Sequence, residues 1–81
     1  MRIICPWQEI SDFRNLSEFT QFTSWMERQL SSGKAKELEV ERPYAGSSTF
    51  KEKWFCHISS GTVWRLVWPD PPFTGIFEKV E

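Results

Sequence analysis

Histidine and cysteine are nearly missing from this chain of 81 residues, and glycine is never clustered. His57 is the sole histidine, and Cys5 and Cys56 are the sole cysteines. A closed structural zinc site takes four Cys/His ligands, more than the chain holds, and neither CxxC nor HxxxH spacing occurs. Gly33, Gly46, Gly61 and Gly75 stand apart, which excludes a glycine-rich phosphate loop. Lys+Arg 10 against Asp+Glu 11 leaves a net charge of -1, so no basic field marks a nucleic-acid binder. No apolar run approaches the ~18–20 residues of a membrane helix. The stretch from Met1 to Pro6 is too short to be a secretory signal. A cytoplasmic address is the expectation. A small secreted scaffold usually carries more than one possible disulfide, so both cysteines read as reduced thiols. No metal or cofactor is expected, and no enzyme.

What the chain does hold is aromatic. Trp 5, Phe 7 and Tyr 1 bring the aromatic share to 16%. A chain of this length makes one domain, residues 1–81, and folding buries only about 60–65% of its surface. Side chains that bury roughly 150–250 Å² each offset a shortage of interior positions.

Periodicity orders the chain. Arg2 to Cys5 reads as a short strand stopped by Pro6. Trp7, Ile10 and Phe13 follow at spacings that suit a helical turn or two. Phe19, Phe22, Met26 and Leu30 form one stripe of a helix at about Ser17 to Ser32, with Ser17 as N-cap, Glu18 in the first turn and Gly33 as the left-handed stop. The period then drops to two. Glu37 to Glu41 alternates, with Leu38 and Val40 on one face and Glu37, Glu39 and Glu41 on the other. Pro43 ends it, and Tyr44 to Thr49 is loop. Strands from Phe50 to Ile58 and Thr62 to Trp68 flank a glycine-containing turn, which makes a hairpin. Pro69-Asp70-Pro71-Pro72 cannot continue a ladder and leads to a last strand at about Thr74 to Val80. The fold class expected is α+β, one main helix packed on a four-stranded antiparallel sheet.

Both faces of the hairpin are apolar, and one helix covers only one. Either Trp7, Phe13 and Phe73 close the second face, or an exposed aromatic patch marks an interaction surface. Glu37, Glu39 and Glu41 are either a solvated edge that resists aggregation or a surface that steers a basic partner. A lone His57 reads as a satisfied structural side chain, since a general base needs an oriented partner. Asp70 suits side-chain support of its turn. Arg65 suits pairing with Glu52 or Glu78 across strands, or stacking on a ring.

The runs Trp54-Phe55-Cys56-His57, Ser60-Gly61-Thr62-Val63-Trp64-Arg65-Leu66-Val67 and Pro69-Asp70-Pro71-Pro72-Phe73-Thr74-Gly75-Ile76-Phe77 form one signature. It resembles the short immunity proteins of bacterial polymorphic toxin systems, most closely the family labelled immunity protein twenty-seven. The resemblance covers roughly residues 50–80. It implies a small cytoplasmic α+β protein that binds the C-terminal domain of a cognate toxin and blocks it. Such a protein needs aromatic and arginine anchors rather than catalytic residues. The surface this implies presents Trp64 or Arg65 with Asp70 and Phe73. The row Glu37, Glu39 and Glu41 is the second candidate. The near-balanced charge departs from the strongly acidic inhibitors of nucleases.

Two other readings compete. Sheet aromatics can stack on bases, which would make a small nucleic-acid-binding module, but Lys51, Lys53 and Arg65 are countered by Glu52, Glu37 and Glu39. A small enzyme or toxin would have to work with His57, Arg65 and a carboxylate.

Overall fold

Glu18 lies three residues after Asn15, and that spacing sets where the helix begins. In the computed structural model, which describes residues 7–46, 50–70 and 72–80, α1 spans Leu16–Ser31. Asn15 is the cap in place of Ser17: its side-chain oxygen accepts the Glu18 N–H at 2.8 Å. Glu18 reaches back, accepting the Arg14 N–H at 3.3 Å. A glutamate at the third helical position completes this reciprocal arrangement, which a cap at Ser17 would forgo. The far end closes as the sequence indicates. Gly33 has φ 76, its N–H bonds the Leu30 carbonyl at 3.2 Å, and Lys34 N–H bonds the Gln29 carbonyl at 3.0 Å.

The helix packs on a four-stranded antiparallel sheet of order β1-β2-β3-β4. The strands are β1 (Ala35–Leu38), β2 (Glu52–His57), β3 (Thr62–Val67) and β4 (Ile76–Lys79). All are shorter than the periodicity suggests at one end or both. The pairings Phe55 with Trp64, and Leu66 with Phe77, set the helix-side face. Phe19 and Met26 bury against Ala35, Phe55, Trp64, Leu66 and Phe77 there.

Residues 7–14 form no helical turn. They run extended along the outside of β4, where Ile10 and Phe77 exchange backbone hydrogen bonds of 2.8 Å in both directions. Trp7 and Phe13 thereby enter the helix-side core instead of closing the second face. Trp7 meets Trp25 and Trp64 edge-on at 5.6 and 5.9 Å, and Phe13 meets Phe19 at 5.2 Å. The expected strand at Arg2 to Cys5 lies outside the described residues.

β1 also departs from the expected Glu37–Glu41. It starts at Ala35, directly after the helix stop, and ends at Leu38. Glu39 and Glu41 therefore lie beyond it, and the three carboxylates do not share one strand face. After Leu38 the chain leaves the ladder and reaches Tyr44, whose N–H bonds Glu52 on the second face.

Gly75 is the most closely packed of the four glycines. It has φ 83, and a Cβ there would lie 3.0 Å from Pro69 Cγ, 3.0 Å from the Val67 carbonyl oxygen and 3.1 Å from Phe13 Cδ2. Gly61 has φ 74 but open space around it. Gly61→Ala should cost about 1 kcal/mol through conformation alone. Gly75→Ala should cost about 2–4 kcal/mol, because overpacking adds to strain. Thermal unfolding of the two variants checks this, and equal shifts in Tm would contradict it.

Candidate functional site

One buried carboxylate organises the covered half of the second face. Glu52 on β2 accepts the Tyr44 N–H on Oε1 at 2.8 Å and the Trp54 Nε1–H on Oε2 at 2.8 Å. Arg65 on β3 places Nε 2.9 Å from the same Oε2, with side chains 5% (Glu52) and 14% (Arg65) exposed. The Nε–H is not aligned on that oxygen, so this contact is an ion pair rather than a hydrogen bond. Arg65 also donates to Glu78 at 3.2 Å and to the Arg42 carbonyl at 3.1 Å. Its guanidinium lies over the rings of Trp54 and Tyr44, at 5.6 and 5.7 Å. Both roles the sequence allows for Arg65 are thus taken together. It pairs with Glu52 and Glu78 at once, and it stacks.

Tyr44 held in this way meets Phe50 at 6.0 Å and Phe73 at 5.6 Å, and Phe50 meets Phe73 at 4.7 Å. These rings form the cover for the adjacent end of the sheet, where Val67 is fully buried and Ile76 nearly so. Of the residues expected to close this face, Phe73 does so. The loop that carries it turns through mutual backbone hydrogen bonds of Asp70 and Phe73, each 2.9 Å.

The other end of the same face has no such cover among the described residues. Register aligns Lys36, Cys56 and Val63 across β1, β2 and β3. Val80 extends the row, its N–H donating to the Val63 carbonyl at 2.7 Å. Cys56, Val63 and Val80 are half-buried, and Ile58 at the end of β2 is 49% exposed. Cys56 is a free thiol. This apolar strip, bordered by Lys36 and Glu78, is the candidate contact surface.

His57 faces the helix side and is buried. Its Nδ1 lies 2.7 Å from Ser60 Oγ and accepts the Ser60 N–H at 3.3 Å. Ser60 Oγ lies 2.8 Å from Thr62 Oγ1, which accepts the Trp64 Nε1–H at 2.9 Å. An indole can only donate, so Thr62 Oγ1 accepts there, and Ser60 Oγ links that hydroxyl to the imidazole. Trp7 covers the imidazole edge-on at 4.9 Å. The chain of bonds closes the hairpin turn, a structural use of the histidine.

The residues singled out from sequence do not converge. Trp64 is 4% exposed, stacked on Phe77 at 5.0 Å under the helix, while Arg65 projects to the opposite face. Burial of Trp64 removes it from any surface a partner could touch. Asp70 is exposed and Phe73 is half-buried at the proline-loop end. Glu37, Glu39 and Glu41 are exposed at the far side, by β1. Trp54 and Phe55 are buried as well, so these sheet aromatics present no open ring face for base stacking. Sequence reasoning did not pick out Glu52 with Tyr44, nor the strip of Cys56, Val63 and Ile58. The available signal was Tyr44 and Phe50 bracketing a loop opposite an apolar strand face.

Cavities add little. The cleft between helix and sheet, lined by Met26, Leu30, Phe55 and Leu66, encloses about 70 Å³, below the roughly 300 Å³ of small-molecule sites. An apolar hollow of about 380 Å³ between Phe13, Leu16, Pro69 and Phe73 has one charged side chain on its wall, Arg14, which pairs with Glu18 at 3.4 Å. No family model, curated protein or solved structure matches the chain.

Removing one member of a buried pair strands the other. Arg65→Met should cost about 3 kcal/mol. The double variant Arg65→Met/Glu52→Gln should cost clearly less than the sum of the single changes. Urea unfolding of the four proteins measures the coupling, and additive costs would contradict the account.

Proposed function

We propose that this chain is an immunity-type protein, one that binds a cognate toxin domain and neutralises it by contact rather than by turning over a substrate. The observation that carries the reading is the division of the second sheet face. One half is sealed by Tyr44, Phe50 and Phe73, and the other leaves Cys56, Val63, Val80 and Ile58 as an apolar strip beside charged groups. Apolar anchors within a polar rim are the composition of a protein-binding centre. The polar groups suited to chemistry have structural uses instead. His57 closes a turn and Arg65 braces the cover. The signature of residues 50–80 fits the same reading, because it supplies the hairpin, the proline loop and β4 that frame the strip.

The test is co-expression with the toxin domain encoded beside it. The two should co-purify, and growth arrested by the domain should recover. A domain that elutes alone and stays toxic would overturn the reading. Within a complex, Val63→Asp or Ile58→Asp should weaken binding by about tenfold or more, by desolvating a charge at the contact. Titration calorimetry reads this, with circular dichroism confirming that each variant folds. Unchanged affinity in both would remove the strip from the interface.

A further inference from the structure

The two edges of the sheet are treated differently, and the hydrogen-bond parity says how. In an antiparallel ladder, alternate residues direct their N–H and C=O toward one neighbour and the rest toward the other. On β4 the outward residues are Phe77 and Lys79. Phe77 exchanges both of its bonds with Ile10, and Lys79 N–H donates to the Glu9 carboxylate at 3.1 Å. That edge is closed by the chain's own leading segment. On β1, Ile58 N–H donates to the Lys34 carbonyl at 3.1 Å, which assigns Lys34, Lys36 and Leu38 to β2 and turns Ala35 and Glu37 outward. Among the described residues nothing pairs with those outward groups.

An open edge invites a strand, and a second copy of the same chain is the first candidate. Charge rules against it. A two-fold antiparallel pairing must set outward residues against outward residues. A two-fold centred on Ala35 puts Lys34 opposite the Lys36 of the copy, and one centred on Lys36 puts that lysine opposite itself. Centring on Glu37 opposes two Glu37 side chains. Centring on Leu38 opposes Glu37 and Glu39, and centring on Glu39 opposes two Glu39 side chains. Each register sets like charges directly across the ladder, which is destabilising. The edge refuses its own copy, and of its outward residues Glu37 carries a carboxylate. Glu37 has Lys53 at 3.6 Å, but both side chains are about half exposed, so that pair is weak and readily exchanged.

We propose that the outer edge of β1 receives an extended strand from the partner, with a lysine or arginine facing Glu37. Main-chain bonds to Ala35 and Glu37 supply register, as in other strand additions, and the basic residue supplies selectivity. The added strand lies beside Lys36 and Leu38, so its other face continues the apolar row through Cys56 and Val63. The proposal rests on the partner-binding reading for the source of the strand alone.

The edge can be tested without the toxin. An end-blocked octapeptide of alternating lysine and valine is titrated into isotopically labelled protein, and amide resonances are followed. Shifts should concentrate at Ala35 and Glu37, with Phe77 and Lys79 unmoved. N-methylation of the lysines should abolish them, because the residues facing Glu37 also direct their N–H groups at β1. An alternating glutamate–valine peptide should not bind. Glu37→Gln should weaken the lysine peptide about two- to fivefold. Equal binding of the N-methylated peptide, equal shifts on β4, or concentration-dependent shifts at Ala35 and Glu37 without peptide would each overturn the proposal. A toxin complex that leaves the Ala35 and Glu37 amides in place overturns the edge and spares the toxin reading. A lysine peptide that binds while no toxin domain does has the opposite effect, sparing the edge and overturning the toxin reading.

Discussion

A sheet with bulky apolar groups on both sides and a single helix to shield it has an uncovered face to manage. In this chain that constraint ranks above the rest. The helix side is solved by aromatic packing, with Trp7, Phe13, Phe19, Trp64 and Phe77 interlocked around Met26. The other side has only the single 3-10 turn Tyr44–Gly46 and loops to cover it among the described residues. Irregular backbone carries polar groups that must be satisfied, so a loop can lie on a sheet only where something accepts its N–H groups. Glu52 is that acceptor for Tyr44, and Arg65 neutralises the buried carboxylate. Through this pair and the bond to Tyr44, the rings of Tyr44, Phe50 and Phe73 seal half a face.

Helix, strand order and hairpin were legible because each rests on a local pattern. The stripe from Phe19 to Leu30, the stop at Gly33 and the turn at Gly61 all operate within a few residues. Arg65 was legible too, since opposite charges stood at positions that a hairpin brings together. What escaped reading depends on tertiary geometry. Spacing of three suits Trp7, Ile10 and Phe13 to a helical turn, yet an edge strand in need of hydrogen bonds drew them into an extended run against β4. Alternation suits Glu37 to Glu41 to one strand, yet the strand ends at Leu38 and the chain goes on to Tyr44, which bonds Glu52. Trp64 has the composition of a binding anchor, but its register with Phe55 and Lys79 turns it under the helix. No local property of a tryptophan reports which face of a sheet it will take.

The candidate surface follows from the same shortage of material. A chain this small cannot cover two faces and two edges. It closes the helix side, half of the second face and the β4 edge. Among the described residues, what stays uncovered lies together, with the strip of Cys56, Val63 and Ile58 adjoining the outer edge of β1. That coincidence supports a single contact region. Exposed strand edges and apolar patches are liabilities in a protein that acts alone, and like charges at β1 reduce the first of them toward self-association. In a protein whose role is to be covered by a partner, both become useful.

Amide hydrogen exchange on the unliganded protein reaches the asymmetry between the edges most directly. The account predicts rapid exchange at Glu37, whose N–H points outward from β1, and strong protection at Phe77, whose N–H is bonded to Ile10. Protection of Glu37 as strong as that of Phe77 would show that the β1 edge is already occupied within the chain, and would contradict the account.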